Sequence, residues 1–152
     1  MDVLFHPCLV NCHLYTTTLA LLLIMELYGL SSSLRQHLKT EFVLVHQNET
    51  WEGALEYCRT HYTDLASLST KERMDSALLE ITQAETEYVW TGLRFLAGDW
   101  FWVTGDDLNY TAWYQNEQPQ CPARDLRCGA LDKQTKLWTH RNCEEKLSFV
   151  CQ

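Results

Sequence analysis

Residues 88–95 read Tyr-Val-Trp-Thr-Gly-Leu-Arg-Phe, and the tetrapeptide Trp-Thr-Gly-Leu at 90–93 stands at the centre of this stretch. Aromatic and branched residues in such a run are typical of a β-strand, and a second run follows at Trp100–Val103. Gly98 and Asp99 lie between the two runs and provide a turn signal. The middle of the chain therefore predicts two strands joined by a turn.

The residues before this pair of strands show the periodicity of two amphipathic helices, preceded by a strand at Glu41–His46. Thr50 is a candidate N-cap for the first helix, and Ser69 with Glu72 fits a capping box that opens the second. The apolar positions at helical spacing are Trp51, Ala54, Leu55, Cys58 and Tyr62 in the first helix and Met74, Ala77, Leu78 and Ile81 in the second. Such stripes usually pack into a core, so they indicate no binding site.

The residues after the pair of strands predict further short strands and one long loop. Residues 116–127 have little apolar content and form the predicted loop. The expected strands are Cys128–Asp132, Leu137–Trp138 and Leu147–Cys151, after a short aromatic segment at Ala112–Tyr114. Helices in the first half followed by strands in the second are typical of an α+β fold with an antiparallel sheet.

The tetrapeptide at 90–93 resembles the Trp-Ile-Gly-Leu strand of C-type lectin-like domains. Other residues at the spacing of that family are Trp51, Cys58, Trp102, Gly105, Trp113, Cys128, Trp138, Cys143 and Cys151. The resemblance covers Phe42–Gln152 and identifies a short-form C-type lectin-like domain with a degenerate calcium and sugar site. It implies two helices packed on small antiparallel sheets, a long loop region and two framework disulfides.

Seven cysteines occur at positions 8, 12, 58, 121, 128, 143 and 151. The last five contain no Cys-x-x-Cys pair, so disulfides in an oxidising compartment are favoured over a zinc site. The residues alone leave the connectivity open. The family resemblance implies that Cys58 pairs with Cys151 and that Cys128 pairs with Cys143. Cys121 is left over; it joins a second chain in a disulfide-linked dimer, or a small thiol, or it is an unpaired and partly buried cysteine.

Many relatives bind sugar through a calcium ion held by a Glu-Pro-Asn or Gln-Pro-Asp loop, a Glu upstream of the third framework cysteine and a Trp-Asn-Asp segment. The residues at those ligand positions here are Gln118, Gln120, Leu126, Thr139 and His140. None is a carboxylate, and neutral donors do not offset the dehydration of a divalent ion. We therefore expect no calcium here and no other cofactor. The alternative is a shifted site that uses Glu117, Asp125 or Asp132.

Two further features of the long loop bear on ligand binding. Pro119 matches a family position at which proline is commonly cis, so the resemblance implies a cis bond before it. Tyr114, Arg124 and Arg127 form a candidate ligand surface, because aromatic and arginine side chains are enriched in binding hot spots. The alternative is that Arg124 is only a solvated loop charge.

These features predict an extracellular recognition domain and not an enzyme. No serine-hydrolase, zinc-protease or P-loop motif is present, and nothing in the sequence marks a base for Cys121. The expected ligand is a glycan bound without calcium, an acidic glycan among the candidates, or a protein. The alternative is a structural or immune-receptor-type protein-binding module with no sugar activity. A net charge of −8 argues against a nucleic-acid partner.

The boundaries follow from composition: residues 1–33 are a predicted signal peptide, 34–41 a short linker and 42–152 the domain. The densest apolar run, 19–25, suits a secretory signal but is too short to span a bilayer. This predicts a secreted glycoprotein, with N-glycosylation motifs at Asn48 and Asn109. The alternative is a single-pass type II membrane protein, against which Glu26 counts because a carboxylate in hydrocarbon is costly.

Overall fold

The computed structural model describes residues 41–152, so the predicted signal peptide and nearly all of the predicted linker lie outside the described residues. The helices are α1 at Trp51–His61 and α2 at Lys71–Ile81. The strands are β1 at Val43–Glu49, β2 at Tyr88–Leu96, β3 at Asp99–Trp102, β4 at Cys128–Asp132, β5 at Trp138–Arg141 and β6 at Leu147–Cys151. Neither helix of this region has the length and apolar content that crossing a bilayer requires.

Both helices begin at a threonine cap. The hydroxyl of Thr50 accepts a hydrogen bond from the Gly53 N–H at 3.2 Å, which confirms the predicted start of α1. The second cap is Thr70, whose hydroxyl accepts from the Arg73 N–H at 3.2 Å. The predicted capping box at Ser69 is therefore wrong by one residue. Glu72 lies at the second helical position, where its charge still favours the helix N-terminus.

The six strands of the described region form one mixed sheet in the order β1-β6-β2-β4-β5, with β3 paired to β2. The first half of β2 lies between β4 and β6, and its second half pairs with β3. The β2–β6 pair is parallel, which corrects the expectation of small antiparallel sheets. A long stretch of chain separates β2 from β6, so no short turn forces them to run in opposite directions.

The two framework disulfides pair as the family resemblance implied. Cys58 is bonded to Cys151 across 93 residues and ties α1 to β6. Cys128 is bonded to Cys143 across 15 residues and ties the start of β4 to the segment between β5 and β6. In the chain-entropy model, loops of these lengths contribute about 4–5 and about 3 kcal/mol to stability.

The tetrapeptide at 90–93 lies at the centre of the core. The indole N–H of Trp90 donates to the carbonyl of Glu49 at 2.9 Å, and that of Trp51 donates to the carbonyl of Thr91 at 2.8 Å. A Cβ at Gly92 would lie 3.0 and 3.2 Å from two backbone carbonyl oxygens of the segment packed against it. A side chain at this position would force that backbone segment to shift by a few tenths of an ångström, which explains why glycine suits this place in the motif.

Close packing predicts an effect of adding one methyl group to β4. A Cβ at Gly129 would lie 2.4 Å from the Cβ of Leu93, so Gly129→Ala should lower the free energy of unfolding by about 1–3 kcal/mol through overpacking. Gly53→Ala is the control, because its methyl on α1 meets mainly the flexible Glu49 side chain and alanine favours a helix. Urea denaturation measures both changes. An unchanged midpoint for Gly129→Ala would contradict the packing described.

Candidate ligand-binding site

A pocket of about 610 Å³ lies between the start of the long loop and the β4–β5 hairpin. Gln118 and Gln120 line it from the loop, and Thr139 and His140 line it from β5. The fold thus brings together four of the five positions at which the sequence predicts a degenerate calcium and sugar site. Leu126, the fifth, lies outside the lining and is half-buried near the end of the loop.

Buried tryptophans position the loop side of the pocket. Trp113 and Trp138 contribute to the lining, with ring centroids 5.7 Å apart. Trp100 packs against Trp113 at 4.9 Å, and its Nε1 donates to the carbonyl oxygen of Pro119 at 2.9 Å. Since Trp100 belongs to β3, this hydrogen bond fixes the loop to the sheet.

The peptide bond before Pro119 is trans, because residues 41–152 contain no cis peptide bond. This corrects the expectation drawn from the family resemblance. The trans isomer is the intrinsically favoured one by about 0.5–1 kcal/mol, and the proline carbonyl is already held by Trp100. The loop instead turns at Gln115 and Asn116, which adopt left-handed φ values of 55° and 57°.

The side chains that line the pocket are neutral or negatively charged. Burial lowers the pKa of His140 below its ordinary value, and the charge of Arg141 acts in the same direction, so the imidazole is neutral at pH 7. Glu117 and Asp132 also line the pocket. One oxygen of Asp132 accepts two backbone N–H groups of the following turn, at 2.7 and 3.2 Å. Of the residues that the structure describes, no lysine or arginine lines the pocket.

The side chains at the family's calcium-ligand positions do not fit calcium. A calcium ion takes about six to eight oxygen ligands, several of them charged. The family's positions supply two amides, the hydroxyl of Thr139 and the imidazole of His140, which suits softer metals. Of the carboxylates considered for a shifted site, Asp125 lies outside the pocket. Within residues 41–152, no three His, Cys, Asp or Glu side chains gather closely enough to hold a metal ion.

The predicted ligand surface is not one continuous site. Tyr114 lines the pocket and is 54% exposed. Arg124 is exposed but lies outside the pocket. Arg127 is occupied elsewhere: its guanidinium lies 5.6 Å from the Phe95 ring, and its Nε donates to the carbonyl of Pro122 at 3.4 Å. Tyr114 is therefore the member of this surface that a ligand in the pocket would meet.

The remaining candidate residues lie at the surface. Cys121 is exposed and belongs to neither disulfide of the described region, so the alternative of a partly buried thiol is wrong. Asn48 is exposed on β1, where its Oδ1 accepts a hydrogen bond from the Ser148 hydroxyl at 3.1 Å. Asn109 is exposed near the start of α2. Glycosylation at both asparagines stays a prediction.

Sequence reasoning missed three residues that shape the pocket. Gln115 and Thr135 contribute to the lining, and Trp100 anchors the loop. Gln115 directly follows Tyr114, so its position next to a candidate ligand-binding residue could have indicated that it lines the pocket. Thr135 lies between β4 and β5, and only the pairing of those strands brings it to the loop. Nothing in the local pattern marks Thr135 or the donor role of Trp100.

The sequence model of the lectin C-type domain family matches residues 47–152. The chain belongs to this family of C-type lectin-like domains. The two helices, the mixed sheet and the two disulfides described above agree with that assignment.

Similar proteins support the same fold. The secretory phospholipase A2 receptor of Bos taurus is 27% identical over 121 residues, which cover 76% of this chain and 8% of the receptor. The chain therefore spans less than a tenth of that relative. Dromaiocalcin-1 of Dromaius novaehollandiae is 29% identical over 110 residues, which cover 67% of this chain and 75% of that protein. The structure of human lithostathine is 26% identical, with a TM-score of 0.64 over 72% of this chain and 88% of lithostathine.

The anchor at Trp100 predicts a measurable change in loop dynamics. Trp100→Phe removes the donor to the Pro119 carbonyl, so amide exchange across residues 117–121 should be about fivefold faster, as one hydrogen bond contributes about 1 kcal/mol. Trp102→Phe is the matched control, because that indole is also buried on β3 and its N–H has no partner in residues 41–152. Hydrogen exchange read by mass spectrometry gives both rates. Equal loop exchange in the two variants would contradict the anchor.

Proposed function

We propose that the domain is a secreted recognition module that binds a glycan in this pocket without calcium. The observation that carries the proposal is the combination of an exposed aromatic ring, Tyr114, with amide and hydroxyl groups in one pocket. Ligand pockets of this kind fix orientation with a few polar groups and gain affinity from contact with an apolar face. The module has no catalytic role in this proposal.

Direct hydrogen bonds replace the metal ion in this mode of binding. The amides of Gln118 and Gln120 each offer a donor and an acceptor, and the hydroxyl of Thr139 offers both. The Gln120 amide is braced by a hydrogen bond of 3.3 Å to the backbone carbonyl of Gln118. Sugar hydroxyl groups are also donors and acceptors. The pocket therefore suits contact with neighbouring hydroxyls without an ion between them.

The charge of the pocket narrows the ligand class. Glu117 and Asp132 are carboxylates, and His140 is neutral at pH 7, so an anionic ligand would meet repulsion there. Arg124 and Arg127, which would favour an acidic glycan, lie outside the lining. We therefore favour a neutral or amine-bearing glycan over an acidic one.

The volume of the pocket and the exposed ring of Tyr114 favour a short oligosaccharide as the ligand. A pocket of about 610 Å³ accommodates about one or two sugar rings. Tyr114 presents a rigid apolar face with a polar tip, on which the C–H face of a sugar ring can pack.

A glycan array that carries neutral, amine-bearing and acidic oligosaccharides tests the proposal. We expect binding to neutral or amine-bearing glycans that is unchanged by EDTA. Tyr114→Ala should weaken binding about tenfold, because it removes an aromatic contact of about 1.5 kcal/mol. Phe101→Ala is the control, since that ring is also partly exposed but lies on β3 outside the pocket.

Two results would contradict the proposal. Loss of glycan binding in EDTA, or micromolar calcium binding by calorimetry, would show that an ion holds the ligand. An array with no signal at all would favour the alternative, a protein-binding module without sugar activity. Exposed aromatic rings such as Tyr114 and Phe101 also suit a protein partner.

We also propose that Cys121 joins two chains in an oxidising extracellular setting. The thiol is exposed and stands apart from both framework disulfides. Non-reducing electrophoresis should show a dimer that disappears with reductant and in Cys121→Ser. A monomer that carries a small thiol adduct, detected by intact mass, would contradict the dimer.

A further inference from the structure

The Cys128–Cys143 disulfide lies against a guanidinium group. Arg94 on β2 donates through Nη1 to both sulfur atoms, with a distance of 2.8 Å to the Sγ of Cys143. The same guanidinium lies 4.9 Å from the Trp51 ring, and Nη2 is 3.7 Å from the Glu52 carboxylate. These contacts with α1 hold the positive charge in place beside the disulfide.

The two cysteines of this disulfide differ in exposure. Cys128 is fully buried, whereas Cys143 is partly exposed. Both cysteines of the other disulfide, Cys58 and Cys151, are fully buried, and no cationic side chain of residues 41–152 donates to their sulfur atoms. A thiolate from solvent therefore reaches Cys143 more readily than any other sulfur of the framework.

We propose that Cys128–Cys143 is a modification site for small-molecule thiols, which open it by thiol–disulfide exchange. The thiolate attacks the Sγ of Cys143 and forms a mixed disulfide. The bond to Cys128 breaks, and its electron pair leaves on the Cys128 sulfur as a thiolate beside Arg94. A second small thiolate then attacks the mixed disulfide, which releases the Cys143 thiolate and the oxidised small thiol. The net change is a two-electron reduction of the disulfide by two thiols.

The guanidinium favours this reaction in rate and in equilibrium. A neighbouring arginine lowers the pKa of a cysteine thiol, and a leaving thiol of lower pKa departs faster. Stabilisation of the thiolate also stabilises the reduced form, so the reduction potential of this disulfide becomes less negative. The Cys58–Cys151 disulfide is not accessible to a thiolate from solvent and has no guanidinium beside it, so it stays oxidised under the same conditions.

Opening this disulfide removes the covalent link between β4 and the residue that holds the end of the long loop. The backbone N–H of Cys143 donates to the carbonyl of Asp125 at 3.1 Å, and its carbonyl accepts from the Trp51 N–H at 2.9 Å. Cys143 thus connects the loop to α1, while its disulfide connects it to β4. The change is independent of which ligand the pocket binds.

The test uses the chain with Cys121→Ser, which removes the free thiol exposed within residues 41–152. The protein is equilibrated in buffers of graded reduced and oxidised glutathione, quenched with an alkylating agent and digested for mass spectrometry. We expect Cys128 and Cys143 to become alkylated at a glutathione ratio that leaves Cys58 and Cys151 bonded. Simultaneous reduction of both disulfides, or earlier reduction of Cys58–Cys151, would overturn the proposal.

Three variants separate the charge of Arg94 from its packing. In Arg94→Gln, the ratio of reduced glutathione squared to oxidised glutathione at which half of the disulfide is reduced should rise about tenfold, which corresponds to about 30 mV. Arg94→Lys should return this ratio most of the way to the value of the unaltered chain. Arg141→Gln is the control, because Arg141 stands opposite Cys128 in the β4–β5 register but contacts Tyr88 and Glu145. Melting curves by circular dichroism check that each variant is folded. An unchanged equilibrium in folded Arg94→Gln, or an equal shift in Arg141→Gln, would overturn the role of Arg94.

Discussion

The covalent bond between Cys58 and Cys151 fixes the strand on which the rest of the domain is assembled. It holds β6 against α1, and β6 is buried along its whole length between β1 and β2. With β6 in place, β2 has a partner on one side and can carry β3 and β4. The pocket is lined by residues of the long loop, β4 and β5. Its geometry therefore depends on the Cys58–Cys151 disulfide, although neither cysteine is among the lining residues.

A series of aromatic rings connects the core to the pocket. Trp102 contacts Trp138 at 5.2 Å, Trp138 contacts Trp113 at 5.7 Å, and Trp113 contacts Trp100 at 4.9 Å. The indole of Trp138 also donates to the Met74 sulfur on α2 at 3.3 Å. The long loop contributes little buried area of its own. Trp100 of β3 holds its backbone through the hydrogen bond to the Pro119 carbonyl, and Trp113 and Trp138 line the pocket together with its first residues.

Local patterns were sufficient for the parts of the fold that depend on periodicity. The helices, most strands and the cap at Thr50 follow from spacing and side-chain type, and the family resemblance supplied the disulfide pairing. The misplaced cap of α2 reflects two adjacent hydroxyl residues that compete for one position. The parallel β2–β6 pair and the separation of Arg127 from Tyr114 could not be predicted in this way. Each depends on where a distant segment returns to the sheet.

The residues in and around the pocket fall into two sets: buried residues that stabilise the fold and exposed residues that a ligand would contact. Trp113, Trp138 and the loop anchor Trp100 are buried in the core, whereas Gln118 and Gln120 are exposed. Substitutions in the second set therefore cost the fold little. Evolution can therefore change the ligand specificity of the pocket by replacing these exposed side chains one at a time. Selection for a stable fold acts on the buried positions instead.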